Sequence, residues 1–368
     1  MPGIEVIPTG PRAAFESEEH VSSINTRRVA AVALAGLTLL SVGACSDKSS
    51  SGSKASGPAD AKICVDYPRS DTDFWNAFIS YVPKYAKEMN LNIQESNSNN
   101  DIQKLIANVT ACVNQGGKAV VIAPQDTAAV APLLDQMKAK KIPVVTLDTA
   151  PDSGSAYMVV RADNKALGSQ ACEFLGDKMG GKGSVVELMG GQDSVNGRDR
   201  REGFGSCMKS KFPDIKVIEE PSEWQADKAQ SQLQTAIGAN PDVRGVYMAA
   251  SFALSGTIQV LKAAGKPTDP ADPKHVFVVS NDGIPEEYKD IKEGTLDATV
   301  SQPADLYAKY GLYYAEQALK GKTFQEGPTD HDSTIVKDDN GFLEDQLPSV
   351  LVSKDNVDDP NLWGNTLK

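Results

Sequence analysis

The run Ile142-Pro143-Val144-Val145-Thr146-Leu147 is apolar, of strand length, and stops abruptly at Asp148-Thr149. A loop, Ala150-Pro151-Asp152-Ser153-Gly154, follows. In an open parallel sheet the carboxyl ends of the strands face the ligand crevice. A buried strand that ends in Asp-Thr therefore delivers a carboxylate to that crevice, and this constrains the fold more than any bulk property does.

The rest of the chain repeats the pattern. From Ala61, strand-length apolar runs alternate with helical periodicities: Ala61–Asp66, then Phe74–Met89, Leu91–Glu95, Asp101–Asn114, Lys118–Ala123 and Ala128–Lys140. A second series runs from Tyr157–Val160 to a helix over Ala304–Leu319. Alternation of this kind implies parallel strands with helices on both faces. About ten strands would overfill one sheet, so the fold class is α/β with two lobes, each with its own sheet.

Composition removes several function classes. The net charge of -12 and pI near 4.9 argue against nucleic acid, which requires a basic face. His20, His275 and His331 stand singly, so no zinc-ligand spacing exists and neither metal nor cofactor is expected. There is no Gly-x-Ser-x-Gly elbow and no phosphate loop, which weighs against an α/β hydrolytic enzyme acting on a small carbohydrate. That reading would need Asp148 and Asp282 as a carboxylate pair. An arginine nearby, with Arg198 the candidate, is expected to keep both ionised.

The N-terminus reads as an address. Arg27-Arg28 precede the apolar stretch Val29–Leu40 and the small residues Val42-Gly43-Ala44-Cys45. This reads as a signal peptide over 1–45, with an apolar stretch too short to span a membrane. Residues 1–20 carry Glu16, Glu18 and Glu19 ahead of the basic pair, where acid is disfavoured; a start at Val21 gives a compact leader. Residues 46–60 are Ser/Gly/Lys-rich and read as a flexible tether. Four cysteines remain: Cys64, Cys112, Cys172 and Cys207. Outside the cytoplasm an even set suggests disulfides, with three connectivities open. Pairing within each βα series, Cys64–Cys112 and Cys172–Cys207, leaves the lobes free to move; four reduced buried thiols are the alternative.

Several motifs then fall in order: Asp71-Thr72-Asp73-Phe74-Trp75, Val144–Asp148, Ala162-Asp163-Asn164-Lys165-Ala166-Leu167-Gly168, Asn196–Phe204, Gly256–Lys266, Ser280-Asn281-Asp282-Gly283-Ile284-Pro285, Ala298–Pro303 and Val352–Val357. From about Ile63 onward the chain resembles the type I periplasmic sugar-binding proteins, in the ribose-binding-protein branch, which deliver ligand to ABC importers. Val42–Cys45 resembles a bacterial lipobox, in which Cys45 is acylated and anchors the protein to the outer face of the cell membrane. The resemblance implies two Rossmann-like lobes joined by a three-segment hinge: residues 61–162 plus 303–332, and 163–302 plus 333–368. It implies no chemistry of its own: a monomer that takes a monosaccharide or small polyol between closing lobes and is read by a permease. A sensor role feeding a receptor would use the same surface.

The resemblance also implies a ligand set. Phe74 and Trp75 open the first helix where the family places stacking aromatics, with at least one expected on the ligand; a helix anchored by two core aromatics is the plainer alternative. Asp71 is a polar contact or a helix N-cap. Asp148 matches the family's first-lobe acid. Arg198 matches the Arg whose fork of donors meets sugar oxygens, with Asn196 beside it; one or both of Arg200 and Arg201 are expected to face solvent or pair with Glu202 or Asp199. Trp224 stacks on the other sugar face, Asp282 follows a second-lobe strand, and Gln302 lies near the third crossing. The chain also departs from the family. Thr149 stands where ribose binders carry Arg, Ala250-Ser251 where many carry Asn-Asp, and Arg161 where a small residue is usual. Arg161 is placed to replace the missing guanidinium.

Overall fold

The computed structural model describes residues 61–267 and 269–367. The leader, Cys45 and the tether lie outside the described residues. Helices and strands alternate as β1 (Lys62–Tyr67), α1 (Asp73–Glu88), β2 (Asn92–Asn97), α2 (Ile102–Asn114), β3 (Ala119–Ile122), α3 (Ala131–Ala139), β4 (Val144–Leu147) and β5 (Met158–Ala162). Next come α4 (Asn164–Lys178), β6 (Gly183–Met189), α5 (Val195–Lys211), β7 (Ile215–Pro221), α6 (Ala226–Ala239), β8 (Val243–Met248), α7 (Leu254–Ala263), β9 (Phe277–Asp282), α8 (Pro285–Glu293) and β10 (Ala298–Ser301). The chain closes with α9 (Ala304–Leu319), β11 (Gly327–Pro328), β12 (Thr334–Lys337), β13 (Leu343–Leu347), β14 (Val350–Ser353) and α10 (Trp363–Thr366).

Two sheets result. The first has the order β11-β12-β13-β5-β4-β3-β1-β2, the second β14-β10-β9-β8-β6-β7. The pairs among β1 to β5 and among β6 to β10 are parallel. Strands such as β3, Ala-Val-Val-Ile, are buried at every residue, as helix cover on both faces requires. The helices begin where side chains satisfy their free amides: Thr72 accepts from Trp75 N, Asp101 from Gln103 N and Asp163 from Ala166 N.

The chain crosses between the sheets three times. It leaves β5 for α4, which packs on α5 and β9; it returns from β10 to α9, which packs on α1 and β3; and it passes from β13 to β14. The last crossing corrects the expected boundary at 333. Residues 334–347 stand in the first sheet, because β13 pairs in parallel with β5 from Glu344 opposite Val159 to Leu347 opposite Ala162. From β14, which pairs with β10, the chain stands in the second sheet.

Cys64 is bonded to Cys112 and Cys172 to Cys207, closing segments with sequence separations of 48 and 35. The first bridge ties β1 to α2 and the second ties α4 to α5, so neither spans the two sheets. Replacing either pair by alanine is expected to cost about 2–4 kcal/mol of stability, since each bridge restricts the unfolded chain. Ligand affinity should be unchanged at temperatures where the variant is folded. Denaturant titration with calorimetry checks this, and loss of binding in a folded variant would contradict the separation of the bridges from the site.

Candidate functional site

Between the sheets lies a small chamber built from strand-to-helix ends of both. It is lined by Arg69, Thr72, Phe74, Trp75, Gln125 and Asp148 from the first side. From the second come Ser194, Asn196, Arg200, Trp224, Ala250, Ser251, Phe252 and Asp282, with Gln302 at the β10–α9 crossing. Its water-accessible space is 50 Å³, and pockets of 720 and 380 Å³ open beside it.

The backbone is forced at this chamber. Asp148 has φ 60°, Trp224 58° and Asp282 128°, in a region that non-glycine residues rarely occupy. Such conformations persist where surroundings over-determine them, and they cluster at ligand clamps. Trp224 lies directly over Gly190: a Cβ there would stand 2.1 Å from Trp224 Cη2, so only glycine admits the ring.

Arg200 organises the polar groups. It is 2% exposed. Its Nε donates to Asn164 Oδ1 at 2.7 Å, Nη1 to the Ala249 carbonyl at 2.7 Å, and Nη2 to Gln302 Oε1 at 3.1 Å. Its Cζ stands 5.8 Å from the Trp224 ring centroid. Gln302 passes the connection on, donating from Nε2 to Asp282 Oδ1 at 2.6 Å. Asp282 Oδ2 accepts from Ser251 N at 2.9 Å and from its hydroxyl at 2.6 Å. Asp148 Oδ2 accepts from Asn196 Nδ2 at 2.9 Å, across the cleft.

Burial raises both carboxyls. Asp148 is pushed up to about 6, against the pull of Arg200 and Arg161 and with help from the Asp282 charge. Asp282 is also raised by burial, with Arg200, Ser251 and Gln302 opposing. Behind them Glu287 is pushed up to about 8, first by burial and then by Asp282, while it accepts from Gly283 N and Ile284 N. The arginine that lowers both is Arg200, not Arg198, and burial outweighs it, so both stand above the ordinary carboxylate range.

Of the expected residues, Phe74, Trp75, Asp148, Asn196, Trp224, Ser251, Asp282 and Gln302 line the chamber. Both aromatics of the first helix do so, their rings edge to face at 5.3 Å. Four do not. Asp71 is exposed and held in a fork by Arg69 Nε and Nη2, while the N-cap is Thr72. Thr149 is buried but donates to the Pro124 carbonyl at 2.7 Å. Arg161 pairs with Asp199 at 2.6 Å and Glu344 at 3.7 Å, so it does not replace a ligand guanidinium. Arg198 reaches the cleft rim instead, pairing with Asp152 at 2.5 Å with its side chain 39% exposed.

Arg200 is the principal residue that sequence reasoning missed. Helix α5 buries Asn196, Gly197, Arg200, Gly203, Phe204, Cys207 and Met208, a stripe that recurs every three to four residues. Asn196 and Arg200, four apart, share the cleft face, whereas Arg198 at i+2 does not. That spacing was the available signal. Arg201 is exposed, as expected, and pairs with Glu219 rather than Glu202. Gln125, in the loop after β3, and Phe252, in a 3-10 turn over Ser251–Ala253, also line the chamber.

With this geometry in view, residues 63–323 match the family described as periplasmic binding protein domain. The chain belongs to this family of periplasmic binding proteins. It is 31% identical over 242 residues to a ribose import binding protein of Salmonella typhimurium, covering 66% of this chain and 79% of the relative. It is 27% identical to a xylitol-binding protein of Mycolicibacterium smegmatis, covering 85% and 86%. A crystal structure of an ABC transporter solute-binding protein from Mycobacterium smegmatis, with bound glycerol, superposes with a TM-score of 0.71 at 26% identity, covering 81% and 96%. The two-lobe α/β fold is that of the family's binding proteins, and no helix among the described residues is long and apolar enough to cross a membrane.

Two outcomes follow. Arg200→Met should abolish ligand binding, whereas Arg198→Met should weaken it without abolishing it; calorimetry on both variants decides, and the reverse order would mean the buried cation is not the ligand's partner. Affinity should also depend on pH. A ligand hydroxyl donating to Asp148 favours the ionised form, so binding is full at pH 7.5 and weakens as pH falls through about 6. At pH 5 the loss should be about tenfold, one unit below that value. The sign for fold stability is opposite. A raised carboxyl contributes stability at low pH that is lost as pH rises through about 6. Equal affinity at pH 5 and 7.5 would remove Asp148 from the ligand contacts.

Proposed function

We propose that this binding protein is an extracytoplasmic, lipid-anchored solute receptor. It captures a monosaccharide or small polyol between its lobes and delivers it to an ABC import permease. The observation that carries the ligand class is a chamber holding two buried carboxylates and a buried guanidinium between aromatic rings. Ligand hydroxyls both donate and accept, so they can pair with carboxylates, amides and guanidinium in one small space. Apolar C–H faces pack on rings such as Trp75 and Trp224. Two buried atoms of the lining side chains, Asn196 Oδ1 and Trp224 Nε1, have no hydrogen-bond partner among the described residues. One is an acceptor and the other a donor, and a hydroxyl serves either.

Delivery rests on motion of lobes joined by three crossings, with Gln302 and Asn164 at two of them and in direct contact with Arg200. The lipid anchor rests on the run Val42-Gly43-Ala44-Cys45 and the polar tether behind it.

A thermal-shift panel of pentoses, hexoses, tritols, tetritols, pentitols and inositols tests the ligand class. Binding of one class raises the transition by linkage, and Asp148→Ala should remove that rise. A flat panel would overturn the reading. Cys45→Ala should move the protein from the detergent-soluble membrane fraction to the medium; unchanged membrane retention would refute acylation at Cys45.

A further inference from the structure

We propose that Trp363 is a positioning residue of the ligand site, holding Phe74 of the first lobe and Asp282 of the second in place. The segment that carries it, residues 354–367, is a fourth tie between the lobes beside the three crossings. The inference rests on the reading of the cleft as a ligand site that closes by lobe motion.

The segment is built onto the second lobe. It follows β14, whose Leu351 carbonyl accepts from Asn356 Nδ2 at 3.0 Å. Asn365 Nδ2 folds it back on itself by donating to the Val357 and Asp359 carbonyls at 2.9 Å. Asp358 pairs with Lys292 of α8 at 2.8 Å. Gly364 lies against the turn after β9: a Cβ there would stand 2.4 Å from the Gly283 carbonyl oxygen and 2.7 Å from the Tyr288 ring. Glycine alone admits so close an approach.

The same turn reaches the first lobe. The Tyr81 hydroxyl of α1 stands 3.0 Å from Thr366 Oγ1 and 3.4 Å from the Trp363 carbonyl oxygen. The Trp363 ring meets Phe74 edge to face, with centroids 6.0 Å apart. Phe74 in turn meets Tyr307 of α9 at 6.3 Å. The Tyr307 hydroxyl accepts from Ala162 N at 2.8 Å and donates to Gln302 Oε1 at 3.1 Å. An aromatic chain thus runs from the segment to the first two crossings.

Trp363 does not line the chamber, so it acts through residues that do. Its Nε1 donates to the Asp282 carbonyl at 3.2 Å, and the same carbonyl accepts from Gln302 N at 3.1 Å. These bonds fix a residue held at φ 128°, whose carboxylate takes the Ser251 hydroxyl at the cleft. A buried indole needs a partner for its N–H and apolar cover for its ring. Trp363 is 3% exposed, and it finds the partner on one lobe and the Phe74 cover on the other. Separating Phe74 from Asp282 strips it of one or the other, so the ring favours the arrangement in which the lobes meet. Removing it raises the population of more open forms, and apparent affinity falls by the same factor as the closed population.

The experiment places spin labels at Gln103→Cys on α2 and Gln234→Cys on α6, both exposed, in the full-length protein in detergent. Interlobe distances are read without ligand by pulsed electron resonance, and affinity by calorimetry with D-ribose, xylitol and glycerol. Trp363→Ala should move the distances to longer values. It should also weaken whichever of the three binds the native protein by about tenfold, as a closed population about tenfold smaller requires. Asp358→Asn, which loses a contact within the second lobe, should leave both readings unchanged; an equal shift there would mean that general loosening, not the tie, moves the lobes. A folded Trp363→Ala protein with native distances, or with longer distances and native affinity, overturns the inference. If that variant does not fold, Tyr81→Phe decides. It removes the hydroxyl that joins α1 to the segment and should shift the distances the same way, and native distances in it overturn the inference. If none of the three compounds binds the native protein, the ligand-class reading falls and the distances alone decide this one.

Discussion

A guanidinium with only 2% of its surface in contact with water constrains everything around it. An unpaired buried charge is among the costliest features a fold can carry, and removing one partner of a buried set is more damaging than never having had it. Arg200 is met by three neutral acceptors drawn from α4, the end of β8 and the β10–α9 crossing. The two carboxyls that feel its charge come from opposite lobes, Asp148 after β4 and Asp282 at the end of β9. One side chain on one helix thus sets the electrostatics of both faces of the cleft. It also touches the crossings that a hinge motion must flex.

The same arrangement explains why the acids sit on forced backbone. A carboxylate at a strand end must face the cleft rather than follow the chain into the next segment. Positive φ at Asp148 and Asp282 achieves this. Their burial then lifts both pKa values, so the site balances desolvation against the Arg200 charge. A ligand whose hydroxyls donate to these oxygens tips that balance toward the ionised forms.

Much of this was legible in the chain. Apolar runs ending in Asp148 and Asp282 announce parallel strands that deliver acids to a crevice, and the two sheets follow from the alternation of runs and helices. What was not legible depended on partners distant in sequence. Arg198 and Arg200 are equally basic; only the burial of the Asn196 face of α5 separates them, although the i+4 spacing hinted at it. Arg161 looked available for ligand until β13 brought Glu344 beside it. That strand was itself overlooked: Asp338-Asp339-Asn340-Gly341 is a hairpin signal between the short β12 and β13, and it places 334–347 in the first sheet. Thr149, notable as the residue standing in place of an arginine, turns away from the chamber to Pro124.

The account's central claim is that burial and Arg200 together set the ionisation of Asp148. Carbon-13 NMR titration of the Asp148 carboxyl, in the native protein and in Arg200→Met, measures it directly. The predicted result is a midpoint of about 6 in the native protein and a higher one in the variant, because Arg200 is the strongest influence holding it down. A native midpoint near the ordinary 3.8, or one that does not move when Arg200 is replaced, would contradict the account.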